Sequence, residues 1–123
     1  MFDIMNGSFT YEKAKRFKEE KVWRDISLVS VDEAKKEWLK TLPPLTAKNY
    51  KSGISFLSTK GILDLDLNLQ VFSLVNQDLI IDRIKTLKDV SECTKQARAA
   101  CFISFTRFLS RRTEGIVKRA IPC

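Results

Sequence analysis

The chain of 123 residues contains no histidine. Histidine is the commonest general base of enzymes and a usual metal ligand, so Ser-His and Cys-His nucleophile pairs and imidazole metal sites are excluded. Glycine is also scarce, because only four glycines occur and they are scattered. A glycine-rich loop that could cradle a phosphate is therefore missing. These absences argue against an enzyme acting alone, and we expect neither a metal nor another cofactor.

The cysteines do not indicate a functional site, and the apolar runs do not indicate a membrane segment. Cys93, Cys101 and Cys123 do not form the paired CxxC-like pattern of a zinc site. Cys101 falls on an apolar helical stripe, which favours a small buried side chain. No apolar run approaches the roughly 20 residues of a membrane span, and the amino terminus lacks the pattern of a signal peptide. We expect reduced thiols, no membrane or small-molecule partner and a cytoplasmic location.

What the chain does have is positive charge, unevenly distributed. The formal net charge is +7, in a sequence that is 44% hydrophobic and 30% charged. Residues 91–123 hold seven Lys or Arg against two Glu, whereas residues 52–90 hold four Lys or Arg against five Asp. Such a concentration favours a polyanionic partner such as nucleic acid. A basic face kept for solubility is the alternative.

In the first half of the chain, two helices are predicted from sequence signals of different strength. Residues 8–24 favour a helix of weak periodicity, with possible anchors at Phe9, Ala14, Phe17 and Trp23. Ser30 and Glu33 then form a capping box. Apolar residues recur behind it on one helical face, at Val31, Ala34, Trp38 and Leu42. Pro43-Pro44 is expected to end this helix.

The middle of the chain predicts short elements. Thr46 is expected to cap a helix that ends at Gly61 and has the core stripe Ala47, Tyr50, Ile54 and Leu57. Residues 63–72 alternate apolar and acidic side chains, which normally favours a strand. Because no second strand is available to pair with it, we expect an extended loop and then a helical turn near 72–75. A further helix is predicted from Asn76 or Gln77 through Lys88.

The strongest helical signal runs from about Glu92 to Arg112, behind Ser91. Its apolar stripe consists of Ala97, Ala100, Cys101, Ser104, Phe105, Phe108 and Leu109. Phe102 and Ile103 lie off that stripe, so we expect this helix to contact neighbours on more than one side. The predicted fold class is all-α, a compact bundle of about four short helices preceded by an extra N-terminal helix. Residues 1–29 form the predicted extension and residues 30–123 the domain.

Two predicted helix starts carry polar and basic residues. The first group is Thr46, Lys48, Asn49, Lys51 and Ser52, and the second is Thr94, Lys95, Gln96 and Arg98. A helix N-terminus presents free amides and partial positive charge, which suit phosphate. Asparagine and serine can also bond to base edges or to the sugar-phosphate backbone. The two starts predict a bipartite clamp on a duplex, and an ordinary solvated face is the alternative.

A third basic cluster follows near the end of the chain, with Arg107, Arg111, Arg112, Lys118 and Arg119. Arg107 and Arg111 lie one helical turn apart. These side chains could pair with carboxylates such as Glu114, or they could contact DNA. The sequence favours the two interpretations equally.

The pattern LTAKNYKSGISFL, followed later by TKQARAACFISFTRFLSRRTEG, resembles the core-binding domain of tyrosine recombinases, the phage-type integrases. The matching positions are Thr46, Tyr50, Ile54 and Leu57 on one helix and Thr94, Arg98, Cys101, Phe105, Phe108 and Leu109 on another. Cys101 stands where the family usually has alanine. The stretches KQARAACFISFTRFL and TEGIVKRAIP are similar to the integrase-like proteins of the chlamydial virulence plasmid.

The resemblance covers about residues 38–122 and implies a SAM-like four-helix bundle. In the family this bundle closes around duplex DNA with a C-terminal catalytic domain, during site-specific recombination and integration. The resemblance implies that duplex DNA and other recombinase protomers are partners. It also implies DNA contacts from Lys48, Asn49, Ser52, Thr94, Lys95 and Arg98. The family's catalytic residues lie in the second domain, so we expect DNA binding without strand cleavage. A helical protein-interaction module with a basic face for an acidic protein is the alternative function.

Overall fold

The computed structural model describes residues 11–120, which fold into helices joined by short loops. The elements are α1 (Tyr11–Asp25), a 3-10 helix (Ile26–Leu28), α2 (Val31–Lys40), α3 (Pro44–Thr59), α4 (Leu69–Ser73), α5 (Gln77–Lys85) and α6 (Glu92–Arg112). Within these residues the only extended pairing is an isolated bridge between Ser30 and Asn68. The predicted all-α class is confirmed.

The hydrophobic core gathers around α6, the longest helix. Phe102, Phe105 and Leu109 of α6 are fully buried. Trp38 of α2 stacks on Tyr50 of α3, with ring centroids 5.1 Å apart, and lies 5.0 Å from the Phe105 ring. Because α2, α3 and α5 all pack against α6, this helix contacts neighbours on more than one side, as predicted.

Local capping signals explain where several helices begin. The Ser30 hydroxyl accepts a hydrogen bond from the Glu33 amide at 3.0 Å, and Glu33 Oε1 accepts one from the Ser30 amide at 3.0 Å. This reciprocal pair confirms the predicted capping box. Asn76 caps α5 and Ser91 caps α6 through their side chains, so these predicted starts are also confirmed.

The end of α3 follows the predicted glycine. Gly61 has φ 72°, a conformation that glycine adopts without steric cost. The Ile62 amide donates to the Leu57 carbonyl at 3.0 Å and the Gly61 amide to the Ser58 carbonyl at 3.0 Å. This is a Schellman motif. The loop after it is confirmed, and the predicted helical turn is α4, which begins at Leu69 rather than near Phe72.

Other predicted boundaries were wrong. Thr46 does not cap α3, because Pro43 occupies the N-cap and Pro44 opens the first turn. A proline suits that position, since its fixed φ is helical and its missing amide has no helical partner there. The two prolines therefore begin α3, whereas α2 has already ended at Lys40. α5 ends at Lys85 instead of Lys88.

The predicted apolar stripe of α6 was wrong at two positions. Ala97 and Ala100 are exposed, whereas Phe102, which lay off the stripe, is fully buried. Residues 113–120 also fold back onto α6, where the Ala120 amide donates to the Thr106 hydroxyl at 2.9 Å. Because neighbours cover α6 on several sides, no single helical stripe describes its buried surface.

The N-terminal helix α1 rests on the bundle through Val22, which packs against the core. The predicted anchor Trp23 is 38% exposed, so it anchors less than we expected. The side chains of Phe9 and Phe17, and Pro122, lie outside the part of the chain that the structure describes. No helix among residues 11–120 is both long enough and apolar enough to cross a lipid bilayer.

Candidate nucleic-acid interface

Helices α3 and α6 pack side by side in opposite directions. Cys101 of α6 lies against Tyr50 of α3, with 3.6 Å between Cys101 Sγ and the Tyr50 carbonyl oxygen. Farther along α3, Phe56 lies against Arg98, one turn earlier on α6, with 4.9 Å from the guanidinium carbon to the ring centroid. The start of α3 is therefore beside the C-terminal half of α6, and the start of α6 is beside the end of α3.

The two tips of the predicted clamp therefore lie at opposite ends of the α3–α6 pair, and the clamp itself stays a prediction. The 16 residues of α3 span about 24 Å, so the two N-termini are separated along the helix pair by a distance of that order. Sequence periodicity identifies the buried side of a helix but not the direction in which a neighbour runs. Between the two tips, an open surface extends along both helices.

We call this surface the α3–α6 face. Both helices turn their apolar sides toward the same core, through Ile54 and Leu57 on α3 and Phe102 and Leu109 on α6. Their opposite sides consequently look outward together. The exposed residues of the face are Lys48, Asn49, Ser52 and Ser55 from α3 and Ala97, Ala100, Arg107 and Arg111 from α6.

The α3–α6 face is strongly basic. Its exposed residues include three cations, Lys48, Arg107 and Arg111, and no acidic side chain. Among residues 11–120, no carboxylate lies within salt-bridge distance of Lys48, Arg107 or Arg111. Their charge is thus not neutralised by the described fold, and it is available to an anion.

The predicted residues of α3 divide between the face and its edge. Lys48, Asn49 and Ser52 are exposed on the face, and Lys48 and Ser52 lie one turn apart. Lys51 is exposed on the flank that turns away from α6. Thr46 is half-buried inside the first turn of the helix.

Two predicted residues of α6 point to a different surface. Lys95 Nζ lies 3.2 Å from Glu92 Oε1, and the Lys95 side chain is only 14% exposed. Lys95 and Gln96 line a groove between α6 and Ile81 of α5. Thr94 accepts a hydrogen bond from the Ser91 hydroxyl at 2.9 Å as part of the helix start. The structure therefore does not bring Lys95 and Gln96 onto the α3–α6 face.

Arg98 is the predicted residue that bridges the two helices. Its guanidinium lies over the Phe56 ring, and Nη1 would be 3.6 Å from a Cβ placed on Gly53. Its Nε is buried and has no hydrogen-bond partner in the described structure. Burial raises the pKa of the neighbouring Cys101 thiol to about 12, while the positive charge of Arg98 opposes that rise. Cys101 is accordingly a buried, protonated side chain.

The third basic cluster divides into structural and exposed residues. Arg112 donates two hydrogen bonds to the Glu37 carboxylate, at 2.7 Å and 3.3 Å, and this pairing raises the pKa of Arg112. Arg107 and Arg111 are exposed on the α3–α6 face. Lys118 and Arg119 are exposed on the returning segment, where they line a separate groove beside α5.

Sequence reasoning missed Phe56 and Lys60. Lys60 Nζ lies 5.7 Å from the centroid of the Phe56 ring, the same ring that Arg98 covers. The spacing of four residues between Phe56 in α3 and Lys60 at its C-cap was a usable signal. The contact with Arg98 depends on tertiary packing, so it had no local signal. The described residues contain no group of acidic or cysteine side chains that could hold a metal ion.

Known proteins resemble the chain over most of its length. A virulence plasmid integrase pGP7-D of Chlamydia muridarum is 50% identical over 104 residues, which is 80% of this chain and 34% of the relative. The pGP7-D protein of Chlamydia trachomatis is 43% identical over 122 residues, 94% of this chain and 36% of the relative. A virulence plasmid integrase pGP8-D of Chlamydia trachomatis is 39% identical over 117 residues, 92% of this chain and 36% of the relative.

The chain thus spans about a third of the length of the curated relatives it matches. No family model matches the sequence, and no solved structure does.

Proposed function

The chain is a relative of the integrases of chlamydial virulence plasmids over more than 90% of its length, and from that premise we propose that it binds double-stranded DNA. Its role would be that of the core-binding domain of a plasmid-borne tyrosine recombinase in site-specific recombination and integration. Residues 30–123 form the proposed DNA-binding domain, and residues 1–29 are an extension. We propose the cytoplasm as its location.

The α3–α6 face is the observation that supports this proposal most strongly. Duplex DNA attracts proteins chiefly through its phosphates, because neutralising them releases condensed counterions. Lys48, Arg107 and Arg111 offer exposed cations on this face without a salt-bridge partner among residues 11–120. Asn49 and Ser52 lie among them and can bond to sugar-phosphate oxygens or to base edges.

We propose that the chain itself does not cleave DNA. It contains no histidine to act as a general acid or base. Tyr50 is half-buried and stacks on Trp38 with an interplanar angle of 14°, so its ring serves packing rather than nucleophilic attack. Cleavage would belong to other parts of a full recombinase, and other recombinase protomers would be further partners.

Binding by this domain alone should be weak and governed by salt. With about four to six phosphate contacts, we expect a dissociation constant near the non-specific range of roughly 10⁻⁴–10⁻⁶ M. The logarithm of the association constant should fall with the logarithm of salt concentration by about 0.9 for each phosphate neutralised. Fluorescence anisotropy of a labelled duplex across a salt series measures both quantities.

The face is tested by removing its cations. Replacing Lys48, Arg107 and Arg111 together by alanine should reduce the magnitude of the salt slope by about 2.7, because three cations are lost. The matched control is Lys35→Ala with Lys36→Ala on α2, where both lysines pair with Asp32 at 2.9 Å and 3.2 Å. The control should keep the wild-type slope. Equal slopes for the triple variant and the wild type would contradict the proposal, and absence of duplex binding at low salt would favour an acidic protein partner.

A further inference from the structure

Two cations share one aromatic ring where α3 ends and α6 begins. The Arg98 guanidinium carbon lies 4.9 Å, and Lys60 Nζ 5.7 Å, from the centroid of the Phe56 ring. Both distances are within the roughly 6 Å at which the face of a ring attracts a cation. Phe56 is half-buried and Lys60 is exposed, so the ring forms the floor of a site that opens to solvent.

The positive charge at this site is not compensated by the described fold. No carboxylate among residues 11–120 lies within salt-bridge distance of Lys60 or Arg98. In addition, Arg98 Nε is buried without a hydrogen-bond partner. A partly desolvated cation is costly unless an anion or an acceptor compensates it. The site is therefore electrostatically incomplete, and an anion would complete it.

Close packing fixes the arginine in this position. A Cβ on Gly53 would stand 2.8 Å from Cys101 Sγ and 3.6 Å from Arg98 Nη1. The absent side chain of Gly53 thus lets α6 approach α3 closely enough for Arg98 to cross onto Phe56. A guanidinium over a ring can still donate from those N–H groups that remain accessible at its planar edge, and this geometry matches the oxygens of a phosphate.

We infer that Phe56, Lys60 and Arg98 form an aromatic-backed anchor for the DNA phosphate backbone, in which Phe56 is a positioning residue. This inference rests on the DNA binding proposed above and gives the duplex a fixed point on the α3–α6 face. Phe56 holds both cations, while Lys60 and Arg98 supply the charge. A purely structural arrangement, in which Lys60 only offsets the negative end of the α3 dipole, would leave DNA affinity independent of the ring.

The test compares Phe56→Leu with Phe108→Leu in the anisotropy titration with labelled duplex. Phe56→Leu should weaken binding about fivefold, because each cation held on the ring is worth roughly two- to fivefold in affinity. Its salt slope should stay at the wild-type value, since no charge is removed. Phe108 is half-buried on α6, and no cation lies over its ring in the described structure, so Phe108→Leu should bind like wild type.

Two charge variants complete the experiment, with thermal unfolding recorded for each protein. Lys60→Ala lies at an exposed position and should fold normally, and it should reduce the salt slope by about 0.9. Arg98→Lys should keep the slope but bind more weakly than wild type, because the planar edge is lost. If the wild type binds duplex but Phe56→Leu binds as tightly as Phe108→Leu, the anchor alone is overturned. An unchanged salt slope in Lys60→Ala would overturn it as well. Failure of the wild type to bind duplex at low salt would overturn the proposed function as well.

Discussion

Gly53 sets the distance between the two helices of the α3–α6 face. A Cβ at this position would lie 2.8 Å from Cys101 Sγ and 3.3 Å from Cys101 Cβ. The nearer contact is shorter than any that real side chains make, and both helices are held by buried neighbours such as Ile54 and Phe105. One added methyl group must therefore displace Cys101 or separate the helices.

We expect Gly53→Ala to lower the free energy of unfolding by about 1–3 kcal/mol, the usual cost of an overpacked core. In a Cys101→Ala background the cost should shrink, because the 2.8 Å contact disappears while the 3.3 Å contact remains. Urea unfolding of the two single variants and the double variant gives the coupling energy. Strictly additive effects would mean that the Gly53–Cys101 contact does not limit the approach of the helices.

At the residue scale, the sequence distinguishes only some of the candidate functional side chains from side chains that make structural contacts. Lys95 and Arg98 were grouped because residues three apart share a helix face. The same rule also pairs Lys95 with Glu92, and this pair is the one that forms, at 3.2 Å. Arg98 instead reaches across to Phe56. That contact depends on how α3 packs, and no local pattern contains this information.

At the scale of elements, α3 and α6 end in the same way with different residues. After α3, Gly61 adopts φ 72°. After α6, Glu114 adopts φ 52°, and the following Gly115 amide donates to the Ser110 carbonyl at 2.7 Å. Both ends are Schellman motifs whose left-handed residue is best filled by glycine. The end of α6 is therefore strained at Glu114, and the end of α3 is not.

Exchanging the residue types should change stability in opposite directions. Gly61→Ala should cost about 1 kcal/mol, because alanine disfavours a positive φ. Glu114→Gly should add about 0.5–1 kcal/mol by relieving that strain. The Lys18–Glu114 ion pair that it removes is exposed, at 69% and 49%, and is worth little. Thermal and urea unfolding measure the sign of the change in the free energy of unfolding for both variants. A destabilised Glu114→Gly protein would show that the ion pair outweighs the backbone strain.

Helix boundaries were predictable from sequence wherever the determining contact is local. Ser30 with Glu33, Ser91 and Gly61 each act within a few residues of their own helix end, and all three predictions are confirmed. The role of Pro43-Pro44 was not predictable, because the local sequence of a proline pair is compatible both with the end of one helix and with the start of the next. The burial of Phe102 depends on neighbouring elements, so it could not be predicted from the sequence of α6 alone.

At the scale of the whole molecule, charge is segregated between two sides of the chain. Residues 61–82, which include α4 and the start of α5, contain four aspartates and no lysine or arginine. The helices α3 and α6 contain seven lysines and arginines and one glutamate. Such asymmetry should orient the molecule in the field of a polyanion, with the α3–α6 face toward the DNA.

The most direct test of this orientation is a residue-resolved footprint of duplex DNA on the folded protein by amide NMR. We predict that titration with duplex at low salt shifts amides of residues 48–60 and 97–111, strongest near Phe56 and Arg98, and that added salt reverses the shifts. Amides of α2 and α4 should stay unchanged. Shifts confined to α4, α5 or the acidic loop between α3 and α4, with α3 and α6 silent, would contradict the account.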